Sequence, residues 1–220
     1  IGKPEAIFAS MGIYVFNRAS LEEELKEDAE KASSEHDFGK NIIPQMIKKG
    51  KKVAGYNFVD EHGKPKYWRD IGTRDAYYQA NMELIKHRPE FDLYDSSWPI
   101  RTYQEQFPPA KTVCATEKDR GCAGVIVDSL ISGGCIIMAA KVQRCVLSPN
   151  VIIEDGAEVS DSILMEGVVV KKNSKLKNTI VDKKVMVPAN TRIGFDHAED
   201  SKRFTFTTSG IVLVAKKTRI

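Results

Sequence analysis

No apolar run in the 220 residues approaches the ~20 that a membrane-crossing helix needs, and no signal peptide opens the chain. Charge of neither sign dominates: 33 Lys and Arg against 30 Asp and Glu leave +3, too small a surplus to argue for nucleic acid. Cysteine is sparse and never closely spaced, since Cys114, Cys122, Cys135 and Cys145 lie 8, 13 and 10 residues apart. That excludes the short pairs of a zinc site and leaves reduced, mostly buried thiols. A cytoplasmic protein is expected from this cysteine pattern. The first residue is Ile1 rather than Met, as expected for the back portion of a longer polypeptide.

With 42% hydrophobic and 29% charged residues, the chain can bury a substantial core in one or two domains. Ile7 to Phe16 alternates with period two and has apolar groups on both faces, which predicts a central strand. Gly12, between Ser10 and Tyr14, leaves bare backbone on one face, as a closely approaching ligand or tight packing requires. Ser20 with Glu23 forms a capping box for a helix to about Ala32, whose acidic run from Glu22 to Glu30 reads as a solvated face. Asp37 is placed to cap a short helix from Asn41 to Lys49. Lys52 to Val59 reads as a strand, and Asp60 to Lys64 as a hairpin turn that returns the chain to Tyr67.

The heptad Tyr67 to Thr73, YWRDIGT, joins a strand end to a turn and to a helix over Arg74 to Lys86, with Thr73 as its N-cap. Asp70 thus sits where open α/β sheets bind ligands. Two roles stay open for it: holding a divalent ion on a phosphate, or simply capping the turn. Pro89 to Pro109 mixes prolines with Phe91, Tyr94, Trp98, Tyr103 and Phe107, and reads as a linker pinned by its rings.

From Val142 to Gly194 a period of six fits: Val151, Ala157, Ile163, Val169, Lys175, Val181, Val187 and Ile193. It predicts a β-helix in which each turn of three short strands adds inward residues to a shared stack. Asp155-Gly156, Glu166-Gly167, Lys172-Asn173 and Pro188-Ala189-Asn190 supply its turns. Val125 to Met138 reads as an earlier coil, and Phe204 to Val214 as a closing strand.

Five segments in order, ASMGIYVF (9–16), HDFGKNIIP (36–44), YWRDIGT, SLISGGCII (129–137) and SGIVLV (209–214), resemble the second half of bacterial-type glucose-1-phosphate adenylyltransferases. The resemblance implies the C-terminal part of an α/β nucleotidyltransferase domain with a Rossmann-like mixed sheet over 1–88, a linker over 89–110, and a left-handed parallel β-helix of hexapeptide repeats over 111–220. It implies Mg²⁺-dependent transfer of AMP from ATP to glucose 1-phosphate, giving ADP-glucose and pyrophosphate for glycogen or starch synthesis. Ser10, Tyr14, Asp37, Phe38 and Trp68 match sugar-side positions, and Asp70 matches a metal-holding carboxylate. Lys183, after Val181-Asp182, and Lys216, with Lys217 and Arg219 nearby, match positions that bind anionic effectors: sugar phosphates, 3-phosphoglycerate or AMP. The family further implies a homotetramer. Its Gly-rich phosphate loop and its Glu-Lys-Pro segment have no counterpart here, so the chain alone is expected to be inactive.

Three rivals bear on this reading. Hexapeptide acyltransferases use a coil histidine, and none occurs between Val142 and Gly194. A guanylyltransferase for another sugar shares the architecture, although WRDIGT is more like the adenylyl version. A non-catalytic regulatory subunit would keep the fold, and the retention of Asp70 leans against it.

Overall fold

The computed structural model describes residues 9–114, 124–218 and 220, and its contacts form two compact units, Ile1–Trp68 and Arg69–Ile220. In the first unit, helix α1 (Arg18–Ala29) is capped by Asn17, whose side-chain oxygen accepts from the Ala19 N–H at 3.1 Å. The predicted capping box at Ser20 is not used, because Asn17 already satisfies the helix start nearer the chain's entry. A π-helical turn, Phe38–Ile42, runs into α2 (Ile43–Lys48), and Asp37 caps it through the Lys40 N–H at 2.8 Å. Ile42 and Met46 are its buried apolar groups.

The acidic run of α1 is solvated only in part: Glu22, Glu23 and Glu30 are exposed as expected, but two of its acids are not. Glu24 and Asp28, one turn apart, are both buried. Lys51 and Lys49 reach the Glu24 carboxylate at 2.8 and 3.0 Å, and these bonds, Lys51 first, hold it below the usual carboxylate range despite burial. A buried charge survives only with such partners.

Three predicted strands are not formed. Residues 9–16 make no ladder, and Ile13 and Val15 are exposed, Val15 at 98%; Ile7 and Phe8 of that stretch lie outside the described residues. Lys52 to Val59 and Tyr67 to Arg69 are likewise irregular, apart from a single bridge between Val59 and Pro65. Apolar alternation expresses a side-chain preference, whereas a strand also needs neighbours for its N–H and C=O groups, and among the described residues none flank these stretches. The turn at Asp60 does form, with Asp60 accepting from the His62 and Lys64 N–H groups at 2.9 Å.

The second unit is a parallel β-solenoid with three faces, consistent with a left-handed β-helix. One face stacks Lys111–Val113, Ile136–Met138, Ile152–Ile153, Val169–Val170 and Met186–Val187. A second stacks Val125–Val127 with 141–143, 158–160, Lys175–Lys177 and Arg192–Ile193. The third stacks Leu130–Ile131 with 145–147, 162–164, Thr179–Val181 and Val212–Val214. The predicted final strand is instead a hairpin: Thr205–Phe206 returns antiparallel to Val212–Val214.

Register corrects the period. Val142 pairs with Val159, Val159 with Leu176, Ile152 with Val169 and Val169 with Met186, so a turn advances 17 residues there and not 18. The third face is one residue shorter, and its strands turn into it at Arg144, Asp161 and Asn178, which hold φ of 48°, 48° and 51°. A strict count of six therefore drifts: Val151 and Ala157 point inward, Ile163 points outward, and Lys175 is only half-buried. The core is instead built of stacks such as Leu147, Leu164, Val181 and Val214.

The short corner has its own polar chemistry. Ser129 Oγ, Cys145 Sγ, Ser162 Oγ and Thr179 Oγ1 each donate to the carbonyl two residues earlier, at 2.8, 3.1, 2.6 and 2.8 Å. Ser129 and Ser162 also accept from the N–H of the next turn's Cys145 and Thr179, so the left-handed corners leave these carbonyls and N–H groups paired. Burial pushes the Cys145 thiol up to about 12 and that of Cys135 upward, while Cys114 is exposed and Cys122 lies outside the described residues.

Helix α3 (Arg74–Glu83) lies on this third face. Tyr77, Tyr78 and Met82 cover the outward column of Val146, Ile163, Ile180 and Leu213, and Tyr78 Oη donates to the Asp161 carbonyl at 2.7 Å. The linker is not pinned by most of its rings: Tyr94, Trp98 and Tyr103 are exposed, and its fixed end is at Pro108, whose carbonyl accepts from the Gly134 N–H.

Candidate functional site

In the first unit four of the candidate residues converge. The Ser10 Oγ and Tyr14 Oη lie 2.7 Å apart, and the Gly12 N–H donates to Ser10 Oγ at 3.2 Å. The Tyr14 ring packs on Phe38, centroids 5.5 Å apart, and Phe16 completes the cluster at 5.5 Å from Phe38. A Cβ on Gly39 would stand 3.3 Å from Asp37 Oδ1 and 3.9 Å from Tyr14 Oη. A carboxylate and a hydroxyl thus approach a glycine that leaves them room, and Ser10 joins them through the Tyr14 hydroxyl. Gly39 and Phe16 were not singled out from the sequence, although the glycine of HDFGK was visible there. Trp68 presents its ring at 43% exposure.

Asp70 begins the second unit's site. Its Oδ1 accepts from the Gly72 N–H at 2.8 Å, Thr73 Oγ1 accepts from Ala76 N–H at 3.1 Å, and Arg69 holds Glu83 at 2.7 Å at the far end of α3. The turn carrying Asp70 is therefore fixed at both ends of one helix. The carboxylate is exposed, so of its two candidate roles the capping one is realised in the geometry and one oxygen is left for a ligand.

Asp75, one turn on, ties α3 to the coil's hairpin. Its carboxylate accepts from Thr208 Oγ1 at 2.6 Å and from Ser209 Oγ, and the hydroxyls of Ser209, Thr207 and Thr208 hold it down to about 2. Unfolded, the group titrates at 3.8, so this link contributes fully above about pH 4 and fades as pH falls toward 2. Asp75→Asn should accordingly melt below the parent at pH 7, with the gap closing near pH 2; a gap independent of pH would contradict the link.

At the coil's edge Asp182 gathers two of the effector candidates. Its Oδ1 accepts from the Lys183 N–H at 2.7 Å and its Oδ2 from the Lys216 N–H at 3.2 Å. Lys183, Lys216 and Lys217 are exposed, and Arg219 lies outside the described residues. A groove of about 430 Å³ lined by Thr73, Arg74, Tyr77, Asp182, Leu213 and Ala215 runs from that aspartate to the start of α3.

Residues 2–87 match the nucleotidyl transferase family, and residues 108–214 match the family described as GlmU-like, C-terminal hexapeptide. The chain thus joins a segment similar to nucleotidyl transferases to one similar to hexapeptide coils. It is 45% identical over 214 residues to a glucose-1-phosphate adenylyltransferase of Koribacter versatilis, covering 97% of this chain and 50% of the relative. Against the Nitrosococcus oceani protein of that name the identity is 46%, with 97% and 50% covered. Against that of Shewanella sp. (strain ANA-3) it is 48%, with 98% and 51% covered. The chain thus spans about half the length of the curated relatives it matches. The Ser10 to Phe38 cluster falls in the first matched segment and Asp182 with Lys183 in the second, while Lys216 lies just past its end.

Proposed function

We propose that the protein to which this chain belongs transfers AMP from ATP to glucose 1-phosphate, releasing pyrophosphate. The observation that carries this is the gathering of Ser10, Tyr14, Asp37 and Phe38 near Gly39. A sugar phosphate offers hydroxyls, an apolar ring face and an anion, and this cluster offers donors, an aromatic face and an acceptor in return. The sugar phosphate's oxygen attacks the α-phosphorus of ATP, the bond to pyrophosphate breaks, and the protein's work is alignment and charge stabilisation. Ser10 and Tyr14 donate to the substrate, Asp37 accepts with the oxygen not used in capping, Phe38 and Trp68 bear on the sugar ring, and pyrophosphate leaves opposite.

Asp70 is the residue that would hold Mg²⁺. One hard carboxylate oxygen suits an ion that keeps waters and takes its other ligands from phosphates. When bound, the ion neutralises charge on the phosphates. The protein is proposed to act in the cytoplasm, as a homotetramer, in glycogen or starch synthesis.

Tyr14→Phe tests the pocket: it keeps the ring stack and removes one donor. It should raise KM for glucose 1-phosphate about tenfold and leave KM for ATP unchanged; equal effects on both, or none, would remove Tyr14 from the sugar site.

Lys183, Lys216, Lys217 and Arg219 are proposed to bind an anionic effector such as a sugar phosphate, 3-phosphoglycerate or AMP. The support is that Asp182 draws the first two together beside a groove that reaches α3. Lys183→Glu should abolish activation while leaving the basal rate intact; undiminished activation would take the residue out of the site.

A further inference from the structure

The pocket's HDFG turn is held from behind by a carboxylate that the mechanism does not use. Asp28 sits on α1 with 4% of its surface exposed. Its Oδ1 accepts from Ser34 Oγ at 2.8 Å, and its Oδ2 bonds His36 Nδ1 at 2.8 Å. Ser34 Oγ in turn accepts from the His36 N–H at 3.0 Å. Both oxygens of a buried charge are thus committed to two residues of one loop, Ser34 and His36.

The loop needs that hold. His36 has φ of 56°, a left-handed conformation that a side chain with a Cβ seldom adopts unaided. The next two residues are Asp37 and Phe38, so the conformation of His36 sets the direction in which both leave α1's neighbourhood. Glu24, one turn earlier on the same face, is engaged differently, by Lys49 and Lys51. The two buried acids therefore divide the work: Glu24 anchors the chain beyond α2, and Asp28 anchors the turn that carries the pocket.

We propose that Asp28 is a positioning residue for sugar-phosphate binding, acting through His36 to aim Asp37 and Phe38; this rests on the sugar-pocket reading above. Ser34 is the second arm of the same clamp. His36 itself touches the pocket only through the backbone it bends.

The test uses the intact enzyme and four variants: Asp28→Ala, Asp28→Asn, His36→Ala and Phe38→Ala. Asp28→Ala should raise KM for glucose 1-phosphate about tenfold, with kcat and KM for ATP within about twofold of the parent. Asp28→Asn, which still bonds both Ser34 and the imidazole, should restore most of the affinity. The His36 ring is more than half exposed, so His36→Ala opens no cavity, and it should reproduce the rise. An unchanged KM for glucose 1-phosphate in His36→Ala overturns the proposal, whatever Asp28→Ala does to folding. So does an equal rise in both KM values, which marks a general loss of structure. Phe38→Ala separates the two levels. If it raises that KM while His36→Ala does not, only the role of Asp28 falls; if neither variant does, the sugar pocket falls with it.

Discussion

Asp70→Asn is expected to lower kcat of the intact enzyme by about 10²–10³-fold, the usual cost of deleting one charge-stabilising group from an active site. Asparagine keeps the oxygen that accepts from the Gly72 N–H, and it leaves Thr73 on its cap and Arg69 on Glu83. The turn should therefore stand, and the melting temperature should stay within about 2 °C of the parent. What is lost is the charge, so the magnesium concentration needed for half-maximal rate should rise as well. Asp70→Ala mixes the two roles, because it also frees the Gly72 amide in the turn ahead of the helix. A full rate in Asp70→Asn would return the residue to capping alone.

The largest loss of stability is expected from Leu164→Ala. Leu164 is fully buried in the stack that runs from Leu147 through Val181 to Val214, one residue per turn. Removing its side chain opens a cavity between two rungs that hydrogen bonds hold at fixed spacing, so little collapse can fill it. Such truncations cost about 2–5 kcal/mol. Val15→Ala, at a side chain that packs on almost nothing, should change stability by no more than about 0.5 kcal/mol. Urea unfolding of the two variants compares them directly. A small loss at Leu164 would mean that the rungs slide to close the gap, against the register seen here.

The coil was legible because its turn residues announce themselves. Gly156, Gly167, Asn173 and Asn190 all hold positive φ at the corners where the sequence placed turns. The 17-residue advance was not legible, because the shortened corner is occupied in turn by Arg144, Asp161 and Asn178, which share no residue type. Their common feature is conformation, and successive ones are tied across the gap by the Arg144 to Asp161 ion pair at 2.6 Å.

The first unit was harder. Its apolar alternation at residues 9–16 expresses what the side chains prefer and says nothing of whether strands flank them. The acidic run of α1 misled for the opposite reason: charge suggested water, yet the partners that permit burial, Lys49, Lys51, Ser34 and His36, lie in the next two segments. The sugar-side candidates came from the resemblance, and the approach of Tyr14 and Asp37 at Gly39 is a fact of folding that no spacing encodes.

The most direct measurement is the reverse reaction with radiolabelled pyrophosphate in the intact enzyme, offering ADP-glucose and GDP-mannose in parallel. Label should enter ATP from ADP-glucose, with glucose 1-phosphate as the other product, and none should enter GTP. Labelled GTP from GDP-mannose with no labelled ATP would contradict adenylyl transfer to glucose 1-phosphate.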